Sequence, residues 1–176
     1  MKRFNTTEDE CVTSVIKVAA YHGYVDVLES DMPEEKKLRL MNVRTVCFAA
    51  LGGRLEVLKW LRSEGCPWDG NTCTFAALSG HLDVLKWLRS EGCPWNEQTC
   101  EAAAEKGHLD VLKYAHENGC PWNEVTCEKA AEGGHLDVLK YLHENGCPWD
   151  GFTWNEASES TREWLKENGC PQSRWT

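Results

Sequence analysis

Ten cysteines, six histidines and nine tryptophans carry most of the chemistry this chain could perform. Cys66, Cys93, Cys120 and Cys147 each open a Cys-Pro-Trp triplet, and Cys170 opens a shorter Cys-Pro. A thiolate is a nucleophile, a redox centre and a soft metal ligand. His116 with Cys120 and Cys127, and His143 with Cys147, form a loose His-x3-Cys-x6-Cys pattern. Zinc sites usually space their cysteines more tightly, at Cys-x2–4-Cys. Buried structural thiols are the plain reading of the same residues; metal binding and redox response are the alternatives. His81, His108 and His135 each follow a glycine, and no serine or acid stands at a singular place to complete a triad. A catalytic site is unique, whereas nearly every notable residue here recurs. The chain therefore reads as no enzyme, with no cofactor.

The recurrence is the organising fact. Cys66, Cys93, Cys120 and Cys147 are spaced by 27 residues. Asn42, Asp69, Asn96, Asn123 and Asp150 keep that spacing, as do Thr45, Thr72, Thr99, Thr126 and Thr153. A fixed period of this length means a solenoid of stacked supersecondary units. Each unit reads as two short helices. Asn96 is placed as an N-cap whose side chain accepts from the first turn. Trp95 before it pairs with Cys100 in a hydrophobic staple, as do Met41 with Val46, Trp68 with Cys73, Trp122 with Cys127 and Trp149 with Trp154. The first helix runs through Ala103-Ala104 to a stop at Gly107. The second carries Leu109, Val111, Leu112, Tyr114 and Ala115 as an apolar stripe, with Asp110 in its first turn. Gly119 ends it, and Cys-Pro-Trp returns the chain. The tryptophan ladder Trp68, Trp95, Trp122 and Trp149 reads as loop packing, or else as a stacking surface for a peptide or bases.

Here the sequence resembles the ankyrin repeat. Ala76-Ala77-Leu78-Ser79-Gly80-His81-Leu82-Asp83 and its copies match the family's Ala-Ala-x-x-Gly-His-Leu-Glu, and Gly92-Cys93 stands for its closing Gly-Ala. The resemblance covers roughly residues 10 to 170. It implies an all-α solenoid with the first helices on the concave side, structural roles for the Gly-His histidines, whose imidazoles bond to backbone, and a protein-binding function. The period is six residues short of the family's usual 33, and the loss falls where ankyrins carry their β-hairpin fingers. The Thr-Pro-Leu-His signature is replaced by Thr-Cys.

About six helix pairs with degenerate ends are expected in one array over 9–170: a first pair at 9–31, a charged connector at 31–41, regular repeats at 42–146 and a C-terminal cap at 147–170. Residues 1–8 and 171–176 read as tails. Polar, atypical ends shield the last core layer of a solenoid. Equivalent residues of neighbouring repeats should lie ~8–10 Å apart, beyond the ~7 Å that a disulfide spans, so no bridges are expected along the cysteine ladder. The net charge of −9 and pI near 5.2 argue against nucleic acid and against an anionic membrane surface. No apolar run of ~18 residues is present and no secretory signal opens the chain, so Asn5-Thr6-Thr7 carries little weight as a glycosylation site. An intracellular, cytoplasmic, monomeric protein is expected.

With Cys100, Ala103 and Ala104 held inward, ~100° per residue turns Gln98, Glu101, Ala102 and Glu105 outward. Stacking equivalents places Phe48, Leu51, Phe75 and Leu78 at one end of that face. Val125, Glu128, Lys129 and Glu132 lie at the other. Phe48 and Phe75 pack between neighbouring helices on one reading. On the other they anchor a partner protein, with basic residues of that partner meeting the glutamates.

Overall fold

The computed structural model describes residues 6–28 and 41–172, with side chains from residue 14 onward. The connector read at 31–41 lies almost wholly outside them, as do Asn5 and the last four residues. Twelve helices form six pairs among the described residues, with no strand. They are α1 (Thr6–His22) with α2 (Val25–Leu28), α3 (Val43–Leu51) with α4 (Leu55–Ser63), and α5 (Gly70–Leu78) with α6 (Leu82–Ser90). Then follow α7 (Glu97–Glu105) with α8 (Leu109–Glu117), α9 (Glu124–Glu132) with α10 (Leu136–Glu144), and α11 (Gly151–Glu156) with α12 (Glu159–Glu167). Helix α1 begins inside the segment read as an N-terminal tail.

Caps and turns explain why these short helices start and stop. Asn42 Oδ1 accepts from Arg44 N at 2.9 Å and Thr45 N at 3.3 Å. At Asn123 and Thr126 the bonds are reciprocal, each side chain meeting the other's backbone N–H at 3.3 Å, which satisfies two orphan donors at once. Asn96 departs from its expected role: its side chain makes no capping bond, and Oδ1 is buried without a partner among the described residues. The backbone there still adopts the N-cap conformation of its equivalents, φ −146° against −145° at Asn123, so the turn is held by more than the side chain. Gly107 closes α7 at φ +73°, and His108 N then reaches back to Ala103 O at 2.9 Å.

The two helices of a pair bury different surfaces. The first helices present alanine pairs such as Ala76-Ala77 and Ala103-Ala104, fully buried, and small side chains let helices approach closely. Successive first helices α1, α3, α5, α7, α9 and α11 accordingly pack in direct contact, while the second helices meet at far fewer points. The second helices contribute the volume of the core, with Val84, Leu85, Leu88, Leu112, Leu139 and Leu142 at zero exposure. The first helices thus form the close-packed row of the stack and the second helices the looser one.

Side chains lock each repeat to the one before. His81 Nε2 lies 3.1 Å from Leu51 O, and His135 Nε2 lies 3.0 Å from Glu105 O. Arg54 Nε donates to Tyr21 O at 2.9 Å in the same place one repeat earlier. At the far end Thr161 Oγ1 donates to Ala131 O at 3.0 Å. Polar shielding appears at the C-terminal end, where Asn155, Glu159, Arg162, Glu163 and Lys166 are exposed. The first pair departs from that expectation. Val15 and Val27 keep the register of Thr45 and Val57, which are 2% and 1% exposed, yet stand 49% and 38% exposed themselves. They hold positions that interior repeats bury.

Candidate functional site

Four positions of α3, α5, α7 and α9 lie on the side opposite the buried alanine pairs, and the 27-residue period stacks them into columns, with Cys47 and Ala102 themselves buried. Arg44, Cys47, Phe48 and Leu51 on α3 correspond to Asn71, Thr74, Phe75 and Leu78 on α5. The same columns hold Gln98, Glu101, Ala102 and Glu105 on α7, then Val125, Glu128, Lys129 and Glu132 on α9. Two hollows open on this surface. One, of about 430 Å³, is lined by Val43, Arg44, Cys47, Phe48, Leu51, Asn71 and Phe75. The other, of about 480 Å³, is lined by Ser14, Lys17, Val18, Tyr21, His22, Phe48 and Leu51. Sharing Phe48 and Leu51, they form one apolar trough across α1, α3 and α5.

The structure places the residues singled out from the sequence on this one face, in differing environments. Phe48, Leu51, Phe75 and Leu78 are half-buried, with Phe48 and Phe75 also packed against the core. Ala102 was expected outward and is 6% exposed. It holds the Phe48 and Phe75 column, which sits in the crevice between adjacent first helices, and its short side chain does not reach out of that crevice. Gln98 and Glu132 are exposed, while Glu101, Glu105, Val125, Glu128 and Lys129 are intermediate.

The acidic end is not uniform. Lys106 Nζ holds Glu105 at 2.8 Å and Lys129 Nζ holds Glu132 at 2.7 Å, whereas Glu101 and Glu128 make no salt bridge among the described residues. Partial burial and the nearby carboxylates of Asp150, Glu124 and Glu156 hold the Glu128 carboxyl above its usual range. The Lys129 ammonium is held above its own by its bond to Glu132 and by Glu105 and Glu128. A cation delivered to this end would relieve the repulsion among the carboxylates.

Apart from Cys47, which lines the trough, the thiols sit elsewhere, inside the stack. All nine described cysteines are free and buried. Cys93, Cys120 and Cys147 donate S–H to the carbonyls of Asp69, Asn96 and Asn123, at 3.5, 3.2 and 3.3 Å. Each also meets the thiol of its own repeat: Cys73 with Cys93, Cys100 with Cys120, Cys127 with Cys147. The bond to the partner thiol, then burial, push Cys93, Cys100 and Cys147 far above the ordinary thiol range. Burial lifts Cys47 and Cys170 to about 11. Such thiols carry almost no thiolate at neutral pH and are poor nucleophiles.

The His-x3-Cys-x6-Cys pattern does not assemble into a metal centre. Cys120 is turned to Cys100, and the His116 ring stacks on Trp122 at 3.5 Å between centroids. No three His, Cys, Asp or Glu side chains converge around a metal-sized gap among the described residues. The tryptophans are also engaged. Arg62 caps Trp68 at 4.1 Å, Arg89 caps Trp95 at 4.0 Å, and His143 stacks on Trp149 at 4.1 Å. An aromatic ring from the following second helix meets each tryptophan edge-on: Trp87, Tyr114, Tyr141 or Trp164. These clusters fasten the loops to the second helices, away from the trough.

Residues 100–143 match the family model described as ankyrin repeats in many copies. The crystal structure of the human ASB11 ankyrin repeat domain superposes with a TM-score of 0.64, covering 88% of this chain and 83% of that one, at 17% identity. The fold of this chain is that of an ankyrin-repeat array. No curated protein sequence matches it. The ankyrin register also explains which face residues the sequence reading missed. Matching Ala19-Ala20 to Ala49-Ala50 puts Ser14, Lys17, Val18 and Tyr21 into the same four columns, so α1 extends the face by one repeat. The Ala19-Ala20 pair stands 30 residues before the next rather than 27, so stacking by the 27-residue period alone does not carry the face onto it. No described helix of the ankyrin array is long and apolar enough to cross a membrane.

Proposed function

We propose that this ankyrin array is an intracellular, monomeric protein-interaction module that holds a segment of another protein along its first-helix face. An apolar anchor of the partner seats over Phe48, Leu51, Phe75 and Leu78. Basic residues beyond the anchor meet Glu101, Glu105, Glu128 and Glu132, with Gln98, Val125 and Lys129 bordering the path. The observation that carries this reading is the apolar trough continuing, in the same columns, into carboxylates at Glu101 and Glu128 that make no salt bridge among the described residues. Ankyrin arrays generally serve as interaction scaffolds, which supports a binding role over a catalytic one. Apolar surface next to charge of one sign is the composition of a recognition patch.

The test is an affinity capture from cell lysate with the wild-type chain and a Phe75→Ser, Leu78→Ser, Glu101→Lys, Glu128→Lys variant of unchanged helical content. A partner held by the wild type is expected to be lost from the variant. Equal recovery on both would remove the first-helix face from consideration and turn attention to the tryptophan loops.

A further inference from the structure

We infer that the partner segment is charge-segregated, with acidic residues at its α1–α3 end, bulky apolar residues in the middle and basic residues at its α7–α9 end. This rests on the first-helix face being the binding face, and it adds a sign and a direction to that reading.

The evidence is a reversal of charge along one continuous surface. Lys17 and Arg44 both line the trough, one in each hollow. Lys17 Nζ lies 5.9 Å from the centre of the Phe48 ring, a placement that leaves its N–H donors available. Arg44 is exposed. Neither is held by a carboxylate among the described residues. Two and three repeats beyond Arg44 the charge is negative, at Glu101 and Glu128, and Glu128 is already crowded by like charge. A partner basic throughout would place cations against Lys17 and Arg44. A partner acidic throughout would meet Glu101 and Glu128. Like charges brought together in a partly desolvated trough cost affinity, which is how such a surface rejects the wrong ligand. At ~8–10 Å per repeat, Arg44 and Glu101 are ~16–20 Å apart along the face. An extended peptide crosses that distance in about six residues at ~3.3 Å each, so acidic and basic clusters are separated by roughly that length of apolar chain.

The experiment pans a display library of random linear 16-residue peptides against the immobilised full chain, and in parallel against a Lys17→Glu, Arg44→Glu variant shown to be folded. Peptides enriched on the wild type are expected to carry acidic and basic clusters on opposite sides of an apolar core. They should bind the variant ~10-fold or more weakly, a difference of one charge-assisted contact, and Lys17→Gln, Arg44→Gln should fall between. Panning on the charge-reversed variant should enrich peptides without the acidic cluster. Enriched peptides that lack the acidic cluster, or that bind both proteins equally, overturn the inference while leaving the binding face intact. Peptides indifferent also to the Phe75→Ser, Leu78→Ser, Glu101→Lys, Glu128→Lys changes overturn the binding face itself. No enrichment over bare support overturns both.

Discussion

Gly107→Ala is expected to destabilise the array by about 3 kcal/mol, and Gly119→Ala by about 1 kcal/mol. The two glycines share a left-handed backbone, φ +73° and +83°, so both substitutions incur the cost of placing a Cβ in that region. Their surroundings differ. A Cβ on Gly107 would lie 2.4 Å from His135 Nδ1, whereas nothing stands within 4 Å of one on Gly119. The imidazole cannot yield freely, because its Nε2 is held at 3.0 Å to Glu105 O. In a one-dimensional stack the interface between neighbouring repeats is a main source of stability, so a displaced His135 loosens the junction of two repeats. Urea unfolding followed by circular dichroism measures both costs. Equal losses at the two glycines would mean that the inter-repeat imidazole contact contributes nothing.

Alkaline pH is the second large effect. The thiols of Cys93, Cys100 and Cys147 are raised in the folded chain, first by the partner thiol and then by burial, from an ordinary value near 9.0. The folded state therefore keeps protons that the unfolded state releases above pH ~9. Stability is fully present below that value and is lost as pH climbs through the folded values, at about 1.4 kcal/mol per pH unit for each thiol that ionises only on unfolding. Cys47 and Cys170, lifted to about 11, act in the same direction between pH ~9 and ~11. Unfolding free energy measured at intervals from pH 7.5 to 10.5 should be flat at first and then fall steeply. A Cys100→Ala, Cys120→Ala variant, less stable at pH 7.5, should show a shallower fall. Parallel curves would show that Cys100 is not among the thiols that titrate.

The period, the helix pairs and the Gly-His turns were legible because repetition in register exposes them without any knowledge of packing. So was the first-helix face, since Cys100, Ala103 and Ala104 define an inward side and helical geometry supplies the rest. Three features were not legible, each for a physical reason. Ala102 lies on the outward side by angle, but a methyl group does not project out of the crevice that phenylalanine fills one repeat earlier. The Cys100–Cys120 contact joins the start of one helix to the loop after the next, and only the folded turn brings them together. A second signal was present in the 20-residue spacing of Cys73–Cys93, Cys100–Cys120 and Cys127–Cys147. Lys17 belongs to the face through a first repeat whose longer step to α3 broke the pattern.

Footprinting of the complex tests the binding face most directly. With a selected peptide or captured partner bound, carbodiimide labelling of carboxylates should fall at Glu101 and Glu128. It should remain unchanged at Glu163 and Glu167 on α12, and oxidation of Trp68, Trp95, Trp122 and Trp149 should be unaffected. Protection of the tryptophans with Glu101 and Glu128 still fully labelled would place the partner on the loop edge and contradict a first-helix binding face.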